Sequence, residues 1–174
     1  MRLILGCCGS CVLASTALHA TVILPADFTE MVNGSHAIVY GVVSDVQSRM
    51  VGSRRTIESV VTVDVIDVIK GQKESTAIFR VPGGQVGRYR RVMIGAPQFA
   101  EGDEIVVFLA GRPPTLPMPF GLNQGVYRVN RAAGTTTVTP LIVDGAVVRG
   151  DPARRPLAVD AFAAKIRAIA EHQQ

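Results

Sequence analysis

The chain has 174 residues, of which 48% are hydrophobic, and it carries a formal net charge of +4 with a pI of about 9.3. This length is enough for one ordinary domain with a packed core. The excess of positive charge is mild and the basic residues are mostly scattered arginines, whereas a nucleic-acid surface presents a longer basic stripe with stacking aromatic residues. We therefore expect no nucleic-acid partner.

Residues 1–20 are typical of a secretory signal peptide. A basic second residue precedes an apolar run from Leu3 to Leu13, and small residues then lead to a cleavage site after Ala20 or after Ala17. The apolar run is too short for a membrane-spanning helix. We expect the leader to be removed and residues 21–174 to form a single secreted or periplasmic domain, without stable membrane insertion.

All three cysteines, Cys7, Cys8 and Cys11, lie within the predicted leader. Thiolates at such spacings bind zinc, but cysteines in an apolar leader are interpreted more simply as small hydrophobic residues. A lipoprotein anchor at Cys7 is not expected, because the six residues that precede it are too few for the apolar segment of such a leader. The mature chain is therefore expected to lack disulfides and to depend on its core for stability.

The mature chain is predicted to begin with a short helix and a kinked strand. Pro25 and Asp27 suit the first turn of a helix, which Asn33-Gly34 would end. The β-branched segment 37–47 follows, with Gly41 in its middle. Glycine weakens a flat strand but permits a sharp coil or a close crossing in a barrel.

The longest strand-like run is Ile57–Gly71, and its apolar pattern changes phase. Val61, Val63 and Val65 share one face, whereas Ile66 and Val68 belong to the other face of a regular strand. A bulge near Val65–Ile66, or a strand coiled tightly around a barrel, would resolve this conflict. The run therefore predicts a small closed or nearly closed β-barrel.

Further strands and a C-terminal helix complete the prediction. The strands are expected at Thr76–Val81, Ile105–Leu109 (buried on both faces), Gln124–Asn130, and Thr135–Val143 with Ala146–Val148 around an Asp144–Gly145 turn. The helix covers residues 156–172, since Phe162, Ile166 and Ile169 recur at helical spacing.

Two long loops are the candidate functional segments, because long loops in compact domains often carry function. Residues 83–104 are rich in glycine and contain a short apolar run at Val92–Ile94, and residues 112–121 are rich in proline. The candidate binding residues within them are Arg88, Tyr89, Arg90, Pro117 and Phe120. The arginine cluster is also compatible with a simple solvated loop.

Motifs that carry catalytic chemistry are missing from the mature sequence. Its histidines, His36 and His172, form no metal-binding pattern, and the neighbouring Ser35 is not thereby a nucleophile, since geometry decides that. The Gly83–Gly87 segment lacks the lysine of a phosphate-binding loop. We expect no metal and no cofactor.

Carboxylate clusters are the remaining catalytic candidates. Glu101, Asp103 and Glu104 precede a buried strand and are interpreted as a solvated turn rather than as acid–base or calcium-binding groups. Asp64 and Asp67 lie on the long strand and are interpreted as rim or surface residues.

A resemblance extends over about residues 25–131. The segments that carry it are SHAIVYGVVSDV, VVTVDVIDVIKG, VPGG, GAPQFAEGDEIVVFL and GLNQGVYRV, which resemble a group of secreted bacterial proteins of unknown function. More remotely, the strand pattern is similar to the OB-like barrel of netrin-like domains and tissue inhibitors of metalloproteinases. The resemblance implies a mainly β fold, a small OB-like barrel of five to seven strands with a short N-terminal and a C-terminal helix. Those inhibitors chelate the protease zinc through an N-terminal cysteine, which this mature chain lacks.

These patterns favour an exported non-enzymatic binding module that engages a protein partner, such as an exported protease, through its Gly/Pro-rich loops. One alternative is a hydrolase that uses scattered carboxylates such as Asp103 and Glu104. Another is a structural envelope protein with no small ligand.

Overall fold

The computed structural model describes residues 26–53, 55–111, 113–132, 134–141 and 155–172. The predicted signal peptide with its cysteines, and the predicted hairpin at Asp144–Gly145, lie outside the described residues. The described elements, in chain order, are α1 (Phe28–Gly34), β1 (Ala37–Val51), β2 (Thr56–Lys70), β3 (Thr76–Pro82), β4 (Gly84–Val86), β5 (Tyr89–Arg91), β6 (Glu104–Ala110), β7 (Met118–Pro119), β8 (Val126–Ala132), β9 (Thr135–Pro140), β10 (Leu157–Ala158) and α2 (Val159–Glu171).

One large antiparallel sheet dominates the fold. Its strand order is β10-β9-β8-β6-β1-β2-β3, and β7 pairs with β6 as an eighth strand. The predicted mainly β architecture with two helices is confirmed, although the sheet exceeds the predicted five to seven strands. Among the described strands, β3 and β10 are the edges of this sheet and do not pair with each other. Closure into a barrel therefore stays a prediction.

The residues after β3 form a second, small sheet. The sequence predicts one irregular loop over residues 83–104, but β4 and β5 pair there as a two-stranded hairpin. The positive φ of Gly87, +58°, provides the tight turn between these short strands. The prediction of an irregular loop is therefore wrong for residues 84–91.

The predicted bulge in β2 is confirmed. Tyr40 on β1 faces Asp67, and the next residue, Gly41, faces Val65, so Ile66 is an extra residue on β2. Its side chain is 56% exposed. The extra residue restores the phase of the strand, because Val68 then packs against the same core as Val61 and Val63.

The sheet separates two hydrophobic cores. The helix-side core lies between the sheet and both helices and includes Phe28, Phe108, Tyr127 and Phe162. The inner core lies on the other face, where Val61, Val63 and Phe79 from β2 and β3 meet residues of β1 and β6. Strand β6 contributes alternate residues to each core, which explains its uninterrupted apolar sequence.

Polar contacts hold both ends of α1. The carboxylate of Asp27 accepts hydrogen bonds from the N–H groups of Thr29 and Glu30 and thereby caps α1. Asp27 therefore precedes the helix, whereas the sequence placed it in the first turn. At the other end of α1, the Lys70 ammonium donates to the Val32 carbonyl at 2.6 Å. Burial lowers the pKa of this lysine. The ammonium thus joins the end of β2 to the negative end of α1.

The boundaries of two predicted elements differ from those observed. β1 continues to Val51, beyond the predicted segment 37–47, because Ser48 and Arg49 keep their antiparallel pairing with β2. The predicted helix 156–172 begins only at Val159, since Leu157–Ala158 pairs with β9 as β10. No helix in the described part of the chain is long and apolar enough to cross a bilayer.

Candidate binding cleft

A cleft of about 400 Å³ opens between the β1–β2 ribbon, the β4–β5 hairpin and residues 92–99. This volume lies within the range of protein ligand sites, roughly 300–1,000 Å³. Its inner wall is apolar, because Val46, Val81 and Phe99 are part of the inner core or pack against it. Arg90 and Arg91 line its exposed side.

Two serines hold the β4–β5 hairpin against the sheet. The buried hydroxyl of Ser59 donates to the Gly83 carbonyl at 2.9 Å, and the Gln85 N–H donates to the Ser48 hydroxyl at 3.2 Å. The two hydroxyls are themselves 2.9 Å apart. A Cβ on Gly84 would lie 2.3 Å from the Ser48 oxygen, and the φ of Gly84 is +129°, so only glycine fits this approach. These serines are structural supports of the cleft.

An apolar run is exposed beside the cleft. The exposed fractions are 66% for Val92, 37% for Met93 and 80% for Ile94, and Tyr89 on the hairpin is 54% exposed. Val92 and Met93 also line the cleft. A contiguous exposed aliphatic run of this kind is unusual on a domain that acts alone and commonly marks an interaction site.

The segment that carries the apolar run is anchored on its C-terminal side. The Ala96 N–H donates to the Met93 carbonyl at 3.1 Å, and the Arg128 guanidinium donates to the Gln98 carbonyl at 3.1 Å. The Gly102 N–H then donates to the Val43 carbonyl of β1 at 2.8 Å. These bonds favour one position of the run beside the cleft.

The predicted residues Arg88, Tyr89 and Arg90 lie on the β4–β5 hairpin, and all three are exposed. The Arg88 guanidinium lies 5.2 Å from the centroid of the Tyr89 ring and donates to its hydroxyl at 3.0 Å. Within the described ranges, no carboxylate pairs with Arg88, Arg90 or Arg91. The hairpin therefore adds uncompensated positive charge beside the apolar run.

Pro117 and Phe120 lie on another segment and do not line the cleft. The Pro117 carbonyl accepts a hydrogen bond from the Arg80 N–H at 2.9 Å. Phe120 is half-buried and packs on the helix-side core, where its ring occupies the space that a Cβ on Gly34 would need. Their predicted role in binding stays a prediction, and in this fold both contact the scaffold.

The sequence did not predict several residues that line the cleft, because these residues lie far apart in the chain. Ser48, Ser59 and Gln85 meet only because β1 pairs with β2 and the hairpin folds back over both. A serine in a strand carries no local pattern that distinguishes such a contact. Arg91 belongs to the arginine cluster that the sequence shows, although only Arg88 and Arg90 of that cluster were predicted as binding residues.

Two of the three candidate carboxylates that precede β6, Asp103 and Glu104, are held by arginines. Asp103 pairs with Arg128 at 2.6 Å. Glu104 pairs with Arg131 at 2.6 Å and accepts a short hydrogen bond from the Tyr40 hydroxyl. Burial, reinforced by the Glu104 carboxylate, raises the pKa of Tyr40 to about 12. The Arg131 hydrogen bond is the main cause that lowers the pKa of Glu104. Such pairing is typical of groups that fix strands in place.

The other sequence candidates also have structural partners. The buried Ser35 hydroxyl donates to the Met31 carbonyl at 2.7 Å, and the Asp67 carboxylate pairs with Arg167 of α2 at 2.6 Å. Asp64 accepts a hydrogen bond from the Ser44 hydroxyl at 3.0 Å. Across the residues that the structure describes, no three His, Cys, Asp or Glu side chains converge to hold a metal ion.

Comparison of the chain with protein-family models, with curated proteins and with solved structures finds no match in any of the three. The resemblance to secreted bacterial proteins, and more remotely to netrin-like domains, therefore stays a prediction from the strand pattern. The cleft and the apolar run beside it are the features from which function is argued.

Proposed function

We propose that this protein is an exported, non-enzymatic binding module that holds a segment of a protein partner against its cleft. The observation that carries the proposal is the exposed apolar run, Val92–Ile94, at the edge of a cleft of about 400 Å³. Burial of one exposed aliphatic side chain contributes about 1.5–3 kcal/mol. A partner that covered two of these side chains would gain about 3–6 kcal/mol from their burial, a large share of the roughly 8 kcal/mol that micromolar binding requires.

The scaffold that we propose for this module is a small OB-like barrel. Two contacts support closure around the inner core: β7 pairs with β6, and the Arg80 N–H of β3 donates to the Pro117 carbonyl just before β7. The circuit β1, β2, β3, residues 117–119 and β6 would then enclose the inner core. Barrel mouths are common sites for binding.

Export belongs to the same proposal. The leader-like pattern of residues 1–20 supports it, as does the confinement of every cysteine to those residues. An exported protease is one kind of partner that such a module would meet in that compartment.

The test is a selection of short random peptides displayed on phage against the purified protein. Enriched peptides would be synthesised with a fluorophore and their affinity measured by fluorescence anisotropy. We expect the double variant Val92→Ser/Ile94→Ser to bind them at least about a hundredfold more weakly, because it loses the burial of two aliphatic side chains.

The matched control is Ile66→Ser/Ile78→Ser, which also replaces two exposed aliphatic side chains but does not touch the cleft. We expect this control to bind as the unaltered protein does. Enrichment of no peptide, or equal binding by both double variants, would contradict the proposed function.

A further inference from the structure

We infer that the partner segment is acidic and carries an apolar anchor residue, so that carboxylates meet the β4–β5 hairpin while the anchor enters the cleft. This inference rests on the proposed function and specifies the chemistry of the partner.

The charge argument compares arginines within the same molecule. Five described arginines form ion pairs with carboxylates: Arg49, Arg80, Arg128, Arg131 and Arg167. By contrast, Arg88, Arg90 and Arg91 are exposed, and no acidic side chain of the described residues reaches them. Arg55 and Arg155 are also exposed and without a carboxylate partner in the described part of the chain, but neither lines the cleft. Three like charges so close in sequence repel each other, and an external anion would relieve that repulsion. A carboxylate suits a guanidinium because the two groups form paired hydrogen bonds.

The apolar argument concerns the same surface. Arg90 and Arg91 line the cleft together with Val92 and Met93, so the charged and apolar surfaces are continuous. Beyond them lies the inner wall of Val46, Val81 and Phe99. A ligand that matches both surfaces must be amphipathic. An aromatic or aliphatic anchor between acidic residues satisfies this requirement.

Other anionic ligands fit the surface less well. A nucleic-acid strand binds through successive bases stacked on several aromatic side chains, whereas Tyr89 is the single exposed aromatic on the described hairpin. A lipid surface is flat on this scale and would leave the cleft unfilled. A protein segment reaches both the concave surface and the arginines.

The test uses the full-length protein and three synthetic peptides. The first has a phenylalanine flanked by aspartate and glutamate, the second replaces the acids by asparagine and glutamine, and the third keeps the acids but replaces phenylalanine by serine. We expect the first to bind about fivefold more tightly than either of the others, with an affinity that falls as ionic strength rises.

Paired variants connect this result to the hairpin. Arg90→Gln/Arg91→Gln should weaken binding of the first peptide about fivefold. Lys73→Gln/Arg155→Gln makes the same change in net charge at exposed positions that do not line the cleft, and it should leave binding unchanged. Equal loss in both pairs would overturn the inference, since it would indicate an effect of net charge alone.

Failure of the inference is distinguishable from failure of the proposed function. If the neutral peptide, or neutral peptides enriched on phage, bind as tightly as the acidic peptide, the inference is overturned while the proposed function stands. If no peptide binds, both are overturned. If phosphatidylglycerol vesicles or single-stranded DNA bind through Arg90 and Arg91 and the first peptide does not, the inference is likewise overturned.

Discussion

Single polar residues fix the position of three neighbouring strands of the large sheet. Tyr40 on β1, Glu104 on β6 and Arg131 on β8 form one hydrogen-bonded group across three strands. The pKa of Glu104 is lowered mainly because its charged form accepts hydrogen bonds from Arg131. A carboxylate whose pKa is lower in the folded than in the unfolded chain stabilises the fold above its unfolded pKa.

This group gives the fold a defined dependence on pH. We expect the unaltered protein to be more stable than Glu104→Gln at pH 7. The difference should shrink as pH falls from the ordinary value of 4.5 through the lowered folded pKa, because protonation then abolishes the charged interaction. Urea unfolding of both proteins across this range measures it. The exposed Glu101→Gln variant is the control, and a difference for Glu104→Gln that stayed constant with pH would contradict this expectation.

Glycine illustrates another residue-scale effect. A Cβ on Gly41 would lie 2.3 Å from the backbone oxygen of Asp64 on β2. The glycine therefore permits a close approach of the two paired strands, whereas the predicted crossing in a barrel stays a prediction. The sequence shows that a glycine is present at this position. Only the pairing of β1 with β2 shows which atom a larger side chain would meet.

At the scale of elements, the bulge in β2 decides which isoleucines are buried. Ile66 and Ile69 are chemically identical and three positions apart, yet Ile66 is 56% exposed and Ile69 is 6% exposed. Neither isoleucine has a partner in the pairing of β1 with β2, so the ladder is irregular at both positions. With these two irregularities, Ile69 lies in the helix-side core. Hydrophobicity alone cannot make this distinction, because it depends on the partner strand.

A matched pair of substitutions tests the bulge. Ile69→Ala should lower the free energy of unfolding by about 2–5 kcal/mol, because it leaves a cavity in a packed core. Ile66→Ala should change it by less than about 0.5 kcal/mol, as for an exposed residue. Thermal or denaturant unfolding of the two variants measures both. Equal losses would mean that Ile66 is buried and that the bulge is absent.

At the scale of the whole molecule, closure of the sheet depends on one connection. β3 is an end of the hydrogen-bonded ladder, and the Arg80 N–H reaches across to the Pro117 carbonyl. If this contact persists in solution, the inner core is enclosed by a circuit of strands. If it opens, β3 becomes a free sheet edge of the kind that proteins usually protect.

Hydrogen exchange of the Arg80 amide tests closure. We expect this amide to exchange about as slowly as that of Val61, which lies in β2 between two paired strands. The Gly87 amide, in the turn of the β4–β5 hairpin, provides the fast-exchanging reference. Exchange of Arg80 at the rate of Gly87 would contradict closure and leave an open sheet.

The sequence by itself determined the mainly β class, the short helix α1 and the doubly buried strand β6, and it located the phase change near Val65–Ile66 without choosing between a bulge and a tight coil. These features follow from local chemistry and from the period of side chains along a strand, so neighbouring residues specify them. The amphipathic face of α2 was predictable for the same reason, and Phe162 and Ile166 are buried as expected.

Only the tertiary structure decided what surrounds the cleft. The hairpin of residues 84–91 lies against the sheet because Ser48 and Ser59, distant in sequence, hold it there. In the folded chain Phe120 packs against the helix-side core, away from the cleft. Val92–Ile94 lie beside Arg90 and Arg91 at the edge of the cleft. Contacts between residues far apart in the chain depend on strand register and packing, and no local pattern encodes them.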